Sequence, residues 1–201
     1  VFAAAREVGY TPRLVSKPKV IAAIIGHLDH ISAGDYKTRI LLHLVQAAAR
    51  VGYLVEFIPF DSAELTTKHL VDAIVEVGLT DAEGTRLPNL PPVPTILVNK
   101  RAPRKEWSTA SSDQRYEGHL AAQHLLDRGH RRIALIVDDP SGWGVEQRHA
   151  GFESAGQRVK GFEPSVFCAA EMPPVEVARR MKSEGCTACV NLTDNFGMAV
   201  L

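Results

Sequence analysis

The stretch Asp113-Gln-Arg-Tyr-Glu-Gly118-His-Leu-Ala-Ala122-Gln-His-Leu-Leu126-Asp-Arg-Gly129-His-Arg-Arg-Ile133-Ala-Leu-Ile-Val137 reads as one helix followed by one strand. Gly118, Ala121, Ala122, Leu125 and Leu126 return to one face with helical spacing. Asp113 stands where the helix begins, a position that favours a side chain able to accept a backbone N–H, and Gly129 ends it. The apolar run Ile133–Val137 is then the next strand.

The same alternation extends in both directions. Upstream, Val20-Ile21-Ala22-Ala23-Ile24-Ile25 is continuously apolar, which suits a strand covered on both faces of a parallel sheet. A helix is expected from about Asp35 to Arg50, with Ile40, Leu41, Leu44, Val45 and Ala48 at helical spacing and Gly52 as its stop. The strand Leu54–Ile58 follows. Leu65, Leu70, Ala73, Ile74 and Val77 then suggest another helix, and the Pro-rich segment Leu87–Pro94 leads into the strand Thr95–Val98. Downstream, the reading is a helix from near Glu146 to Ala155, a strand at Ser165–Cys168, a helix from Pro174 to Glu184 closed by Gly185, and a strand at Ala188–Leu192. A further helix is due at Asp194. Alternating strands and helices imply right-handed crossovers and parallel sheets.

With 201 residues, 45% of them apolar, the chain can bury a substantial core. Its 23 Lys and Arg balance 23 Asp and Glu, so there is no overall basic excess to draw it onto nucleic acid or an anionic membrane. No run is long enough for a membrane span, and the N-terminus lacks the pattern of a secretory signal, so a cytoplasmic location and no membrane partner are expected. The three cysteines, Cys168, Cys186 and Cys189, have no disulfide-framework spacing. Cys186-Thr187-Ala188-Cys189 is a single C-x-x-C without the second ligand pair that zinc requires, so the thiols are read as structural, with no metal or cofactor expected.

An open parallel sheet binds ligands beyond the carboxyl ends of its strands, which singles out His27, Leu28, Asp29 and His30 after the first strand, Asp138, Pro140 and Trp143 after Val137, Glu171 after Ala170, and Thr193 with Asp194 after Leu192. Enzymatic readings lack their parts: no G-x-G-x-x-G or G-x-x-x-x-G-K-[ST] loop follows the first strand, and no G-x-S-x-G elbow exists. No enzyme activity is therefore expected.

Three ordered segments give a more specific resemblance. Asp113 through Ala134 resembles the D-x(3–4)-G-x-x-x-A-x-x-L-x-x-x-G-H-x-x-I-A pattern of LacI/GalR transcription regulators. Arg148-His149-Ala150-Gly151-Phe152 is similar to the family's R-x-x-G-F, and Leu192 through Ala199 to its N-D-x-x-A-x-G. Val1 through Pro12 resembles the end of the family's helix-turn-helix head, V-x-x-A-A-x-E-L-G-Y-x-P.

The resemblance implies an α/β fold of two Rossmann-like parallel-sheet lobes of the periplasmic-binding-protein type, the second incomplete at Leu201. Residues 1–18 would be a remnant of the head and a shortened hinge, 19–127 the N-terminal lobe and 128–201 the C-terminal lobe. It further implies a sugar or purine-like effector bound between the lobes, a homodimer, and operator DNA reached through the head, most of which is absent. A periplasmic-type sugar-binding transport receptor shares the fold and is the alternative.

Each site residue has a plainer reading beside this one. Asp113 serves as a helix cap, as a ligand contact, or as both. Arg148 is either a solvated helix arginine or, as the family implies, a guanidinium in the ligand site able to grip two oxygens bidentately. Asp194 could simply cap its helix, and Thr193 replaces the family's usual asparagine. Trp143 could face a sugar ring or belong to the core. His27, Asp29 and His30 would contact ligand or be solvated loop residues.

Overall fold

The computed structural model describes residues 19–26, 36–68, 70–87, 90–137, 140, 142–192 and 194–200. They form two compact units, one of the described residues up to Val98 with Ala102–Thr109, the other of Asn99–Arg101 with the described residues from Ala110 onward.

In chain order the first unit contains β1 (Lys19–Ile25), α1 (Tyr36–Arg50), β2 (Tyr53–Pro59), a 3-10 turn at Phe60–Ser62, α2 (Leu65–Lys68), β3 (Ala73–Val77), α3 (Asp81–Thr85) and β4 (Thr95–Val98). β5 (Ser108–Ala110) follows at the boundary. The sheet order is β2-β1-β3-β4-β5, with β1–β2, β1–β3 and β3–β4 all parallel. The continuous apolarity of β1 has the expected cause. Ala22 and Ile24 pack with Ile58, Ile74 and Leu97 on one face, while Ala23 and Ile25 pack with Leu41 and Val77 on the other.

The second unit contains α4 (Gln114–Asp127), β6 (Arg132–Val137), α5 (Trp143–Gly156), β7 (Glu163–Cys168), α6 (Pro174–Ser183), β8 (Ala188–Asn191) and α7 (Asp194–Val200). Its sheet is parallel throughout, in the order β7-β6-β8. β6 repeats the logic of β1. Ile133, Leu135 and Val137 face Ala122, Leu126 and Phe152, from α4 and α5, and Ala134 and Ile136 face Phe167 and Val177, on the side of α6. The α/β expectation of two parallel-sheet lobes therefore holds.

Some expectations need correction. Ala73, Ile74 and Val77 belong to a strand, β3, that pairs with β1 from Ile21↔Ala73 to Ile25↔Val77, and the helix before it is only Leu65–Lys68. Leu70 lies outside both and is exposed. Beside β1, an extended Ala73–Val77 satisfies its backbone through the sheet ladder and buries Ile74 and Val77 completely. α5 begins at Trp143, not Glu146. α4 packs against α5 and β8 within the second unit. The proposed remnant head and hinge at 1–18 lie outside the described residues.

Candidate functional site

Asp113 is the N-cap of α4, and its Oδ1 accepts a hydrogen bond from the Tyr116 backbone N–H at 2.9 Å. The capping reading is thus realised, and the residue remains exposed to solvent. Gln114, the first residue of α4, is by contrast buried. Its Nε2 donates to Ser112 Oγ at 2.7 Å, which turns Oε1 toward α5.

Two glycines bring α4 and α5 into close contact. A Cβ on Gly118 would lie 1.9 Å from the Arg148 carbonyl oxygen, and one on Gly151 would lie 1.8 Å from that of Arg115. No side chain fits at either point, so the backbones touch through glycine alone. Gln114 beside Gly144 and Gly118 beside Arg148 show that the helices run in the same sense with their N-termini side by side. Both helices direct the positive ends of their dipoles there.

Arg148 lies on α5 four residues after Gly144. Helical side chains lean toward the N-terminus of their own helix, and Arg148 follows this rule: a Cβ on Gly144 would be 3.9 Å from Arg148 Nη2 and 3.3 Å from Gln114 Oε1. The guanidinium therefore extends over a glycine toward the paired helix starts. Its Nε is buried with no hydrogen-bond partner among the described residues. A buried unsatisfied donor costs about 1–3 kcal/mol, a deficit that a ligand oxygen would remove.

The structure thus brings Asp113, Trp143 and Arg148 to neighbouring helix starts, with Trp143 half-buried as the first residue of α5. Asp194 opens α7, which packs on the opposite face of the sheet from α4 and α5. Thr193, His27, Asp29 and His30 lie outside the described residues. Gln114 escaped the sequence reading, although its place one turn before Gly118 on the inward face of α4 was a usable signal. Among the described residues no group of three or more His, Cys, Asp and Glu is placed to hold a metal ion, and no helix is long and apolar enough to cross a membrane.

No protein-family model matches the chain, and no curated protein matches it by sequence. Solved structures do match it. The Cra transcriptional dual regulator of Pseudomonas putida, in complex with fructose 1-phosphate, is 21% identical with a TM-score of 0.72, over 92% of this chain and 72% of that one. The transcription regulator CcpA of Lactococcus lactis is 17% identical with a TM-score of 0.71, over 92% and 71%. GanP, a glucose-galactose binding protein of Geobacillus stearothermophilus, is 20% identical with a TM-score of 0.70, over 92% and 72%. These proteins are regulators and a sugar-binding protein, not enzymes. The likeness establishes that this chain has the α/β fold of LacI-type transcription regulators and of sugar-binding proteins built on the same plan.

Proposed function

We propose that the chain is the effector-sensing core of a LacI/GalR-type DNA-binding transcription regulator, a repressor that takes a small molecule such as a sugar and has no catalytic activity. The observation that carries this reading is the buried, unpartnered Nε of Arg148, held over Gly144 at the paired starts of α4 and α5. A guanidinium with a free donor is suited to hydroxyl, carboxylate or phosphate oxygens, which it can engage through several N–H groups at once. In this reading Asp113 accepts from a ligand hydroxyl with the lone pairs its cap leaves open, and Trp143 offers an apolar face to a ring. Thr193 and Asp194 complete the contacts, and His27, Asp29 and His30 supply the remainder.

Regulation follows from linkage. An effector that binds two states of the protein unequally shifts their populations, and DNA affinity changes by the same coupling factor. The exposed apolar side chains Leu42 and Val45 of α1 and Leu54 and Phe57 of the edge strand β2 support a homodimer, since such surface is normally covered by a partner. A cytoplasmic location accords with this role. The test is an anisotropy titration of operator DNA with full-length protein across a panel of sugars, sugar phosphates and nucleosides. An effector that binds yet leaves operator affinity unchanged overturns the regulator.

The likeness to GanP favours a second reading, a sugar-binding transport receptor. The coding sequence upstream of Val1 separates the two: a helix-turn-helix head supports the regulator, and a secretory signal supports the receptor.

A further inference from the structure

The face of the second unit formed by α6, β8 and α7 carries a feature that the effector reading does not use. A cavity of about 470 Å³ opens there to solvent, lined by Met181, Lys182, Cys186, Thr187, Cys189 and Val200 among others. Three of these side chains end in or contain sulfur, and both cysteines are free thiols.

Their convergence is built by the backbone. α6 closes in a Schellman motif: Gly185 adopts φ +70°, its N–H donates to the Lys182 carbonyl at 3.1 Å, and the Cys186 N–H donates to the Met181 carbonyl at 2.9 Å. This motif commonly brings the residue after the glycine toward the last helical turn, and Cys186 and Met181 line the same cavity. The chain then enters β8, anchored by the Thr187 N–H donating to the Arg132 carbonyl at 2.9 Å. Cys189 points to the sheet face covered by α6 and α7, where Met181 and Cys186 also pack. Cys186 and Cys189 thus line one cavity together with Met181.

We propose that Met181, Cys186 and Cys189 form a soft-cation site that takes one Cu(I) ion. Zinc needs four ligands, and among the described residues no further Cys, His, Asp or Glu is grouped with this pair, whereas a monovalent soft cation is satisfied by fewer donors if they are sulfur. On binding, the two S–H bonds break, two S–Cu bonds form, and both protons pass to solvent, while copper stays Cu(I) and nothing is oxidised. The Met181 thioether adds a neutral third donor. Two thiolates and one Cu(I) leave a net charge of −1, and the Lys182 ammonium on the cavity wall balances it.

The test is an anaerobic titration of the full chain, kept reduced, with Cu(I) supplied as its bicinchoninate complex. The expected result is withdrawal of one equivalent of Cu(I) with a sulfur-only X-ray absorption signature. Cys186→Ser and Cys189→Ser should each weaken binding by about 100-fold or more and Met181→Leu by about 10-fold, the scale on which metal sites respond to lost partners. Cys168→Ser, which alters a thiol on the other side of the sheet, should leave binding unchanged. Failure of the wild-type chain to take copper from the chelator overturns the site, as does retention of wild-type affinity by a Cys186→Ser/Cys189→Ser double variant. If a cysteine variant fails to fold, the spectrum of the wild-type complex decides alone, and nitrogen or oxygen ligands in place of sulfur overturn the proposal.

Discussion

Gly118 lies against the carbonyl oxygen of Arg148 so closely that a Cβ would stand 1.9 Å from it. The same glycine that lets α4 meet α5 thus places the Arg148 backbone, and with it the guanidinium at the helix starts. Packing and binding are coupled through one missing side chain.

Gly118→Ala should therefore cost about 3 kcal/mol, at the upper end of overpacking penalties, because the obstructing atom is backbone and cannot swing away. Gly129→Ala is the control. Its φ of +89° is strained for alanine but nothing lies within 4 Å, so a loss of about 1–2 kcal/mol is expected. Urea unfolding of the two variants checks the order; equal losses would show that the helices can separate freely.

Arg148→Met should weaken effector binding by about 1.4 kcal/mol or more, tenfold in Kd, as expected for a lost charge-assisted hydrogen bond. The ligand-free protein should be as stable as the parent or more so, because the variant removes a buried donor that has no partner among the described residues. Calorimetry and thermal unfolding read the two quantities separately. An unaltered isotherm would remove Arg148 from the site.

Glu76 is fully buried in β3, and its Oε1 accepts from the Leu79 backbone N–H at 2.7 Å, closing the turn around Gly78, whose φ is +77°. Glu76→Ala should destabilise by about 2–3 kcal/mol, since it leaves that N–H without its acceptor. Glu76→Gln keeps an acceptor of the same shape and should cost less. Chemical denaturation of both variants measures the difference, and an equal loss would refute the turn-closing role.

If Leu54 and Phe57 on β2 are covered by a second copy of the chain, Leu54→Lys should convert a dimer to a monomer in sedimentation velocity without loss of folded signal, because a buried unpaired ammonium opposes association. A parent chain that sediments as a monomer at every concentration would exclude the homodimer.

Much of the fold was legible because local chemistry and tertiary environment agreed. β1 and β6 are apolar without a break from Val20 to Ile25 and from Ile133 to Val137, and both are covered on two faces. α4 begins after Asp113, and α6 has proline in its first turn and Gly185 after its end. α3 was missed although Thr80-Asp-Ala-Glu83 is a capping box, with Glu83 Oε2 accepting from the Thr80 N–H at 2.7 Å and Thr80 Oγ1 accepting from the Glu83 N–H at 3.2 Å.

The candidate site was only partly legible. Asp113, Trp143 and Arg148 were singled out from position and resemblance, but their grouping depends on two glycine contacts between residues far apart in the chain. That Gln114 is buried while Asp113 beside it is exposed depends on what α5 covers, which no local pattern specifies.

The sequence by itself determined the parallel α/β class, the central strands and most helix ends, because apolar runs, caps and glycine stops act over a few residues. Only the tertiary structure decided that Ala73–Val77 is a strand, that α4 joins the second unit, and that Arg148 Nε has no partner among the described residues. Strand pairing, helix contact and hydrogen-bond satisfaction are each settled by atoms that the chain brings together only on folding.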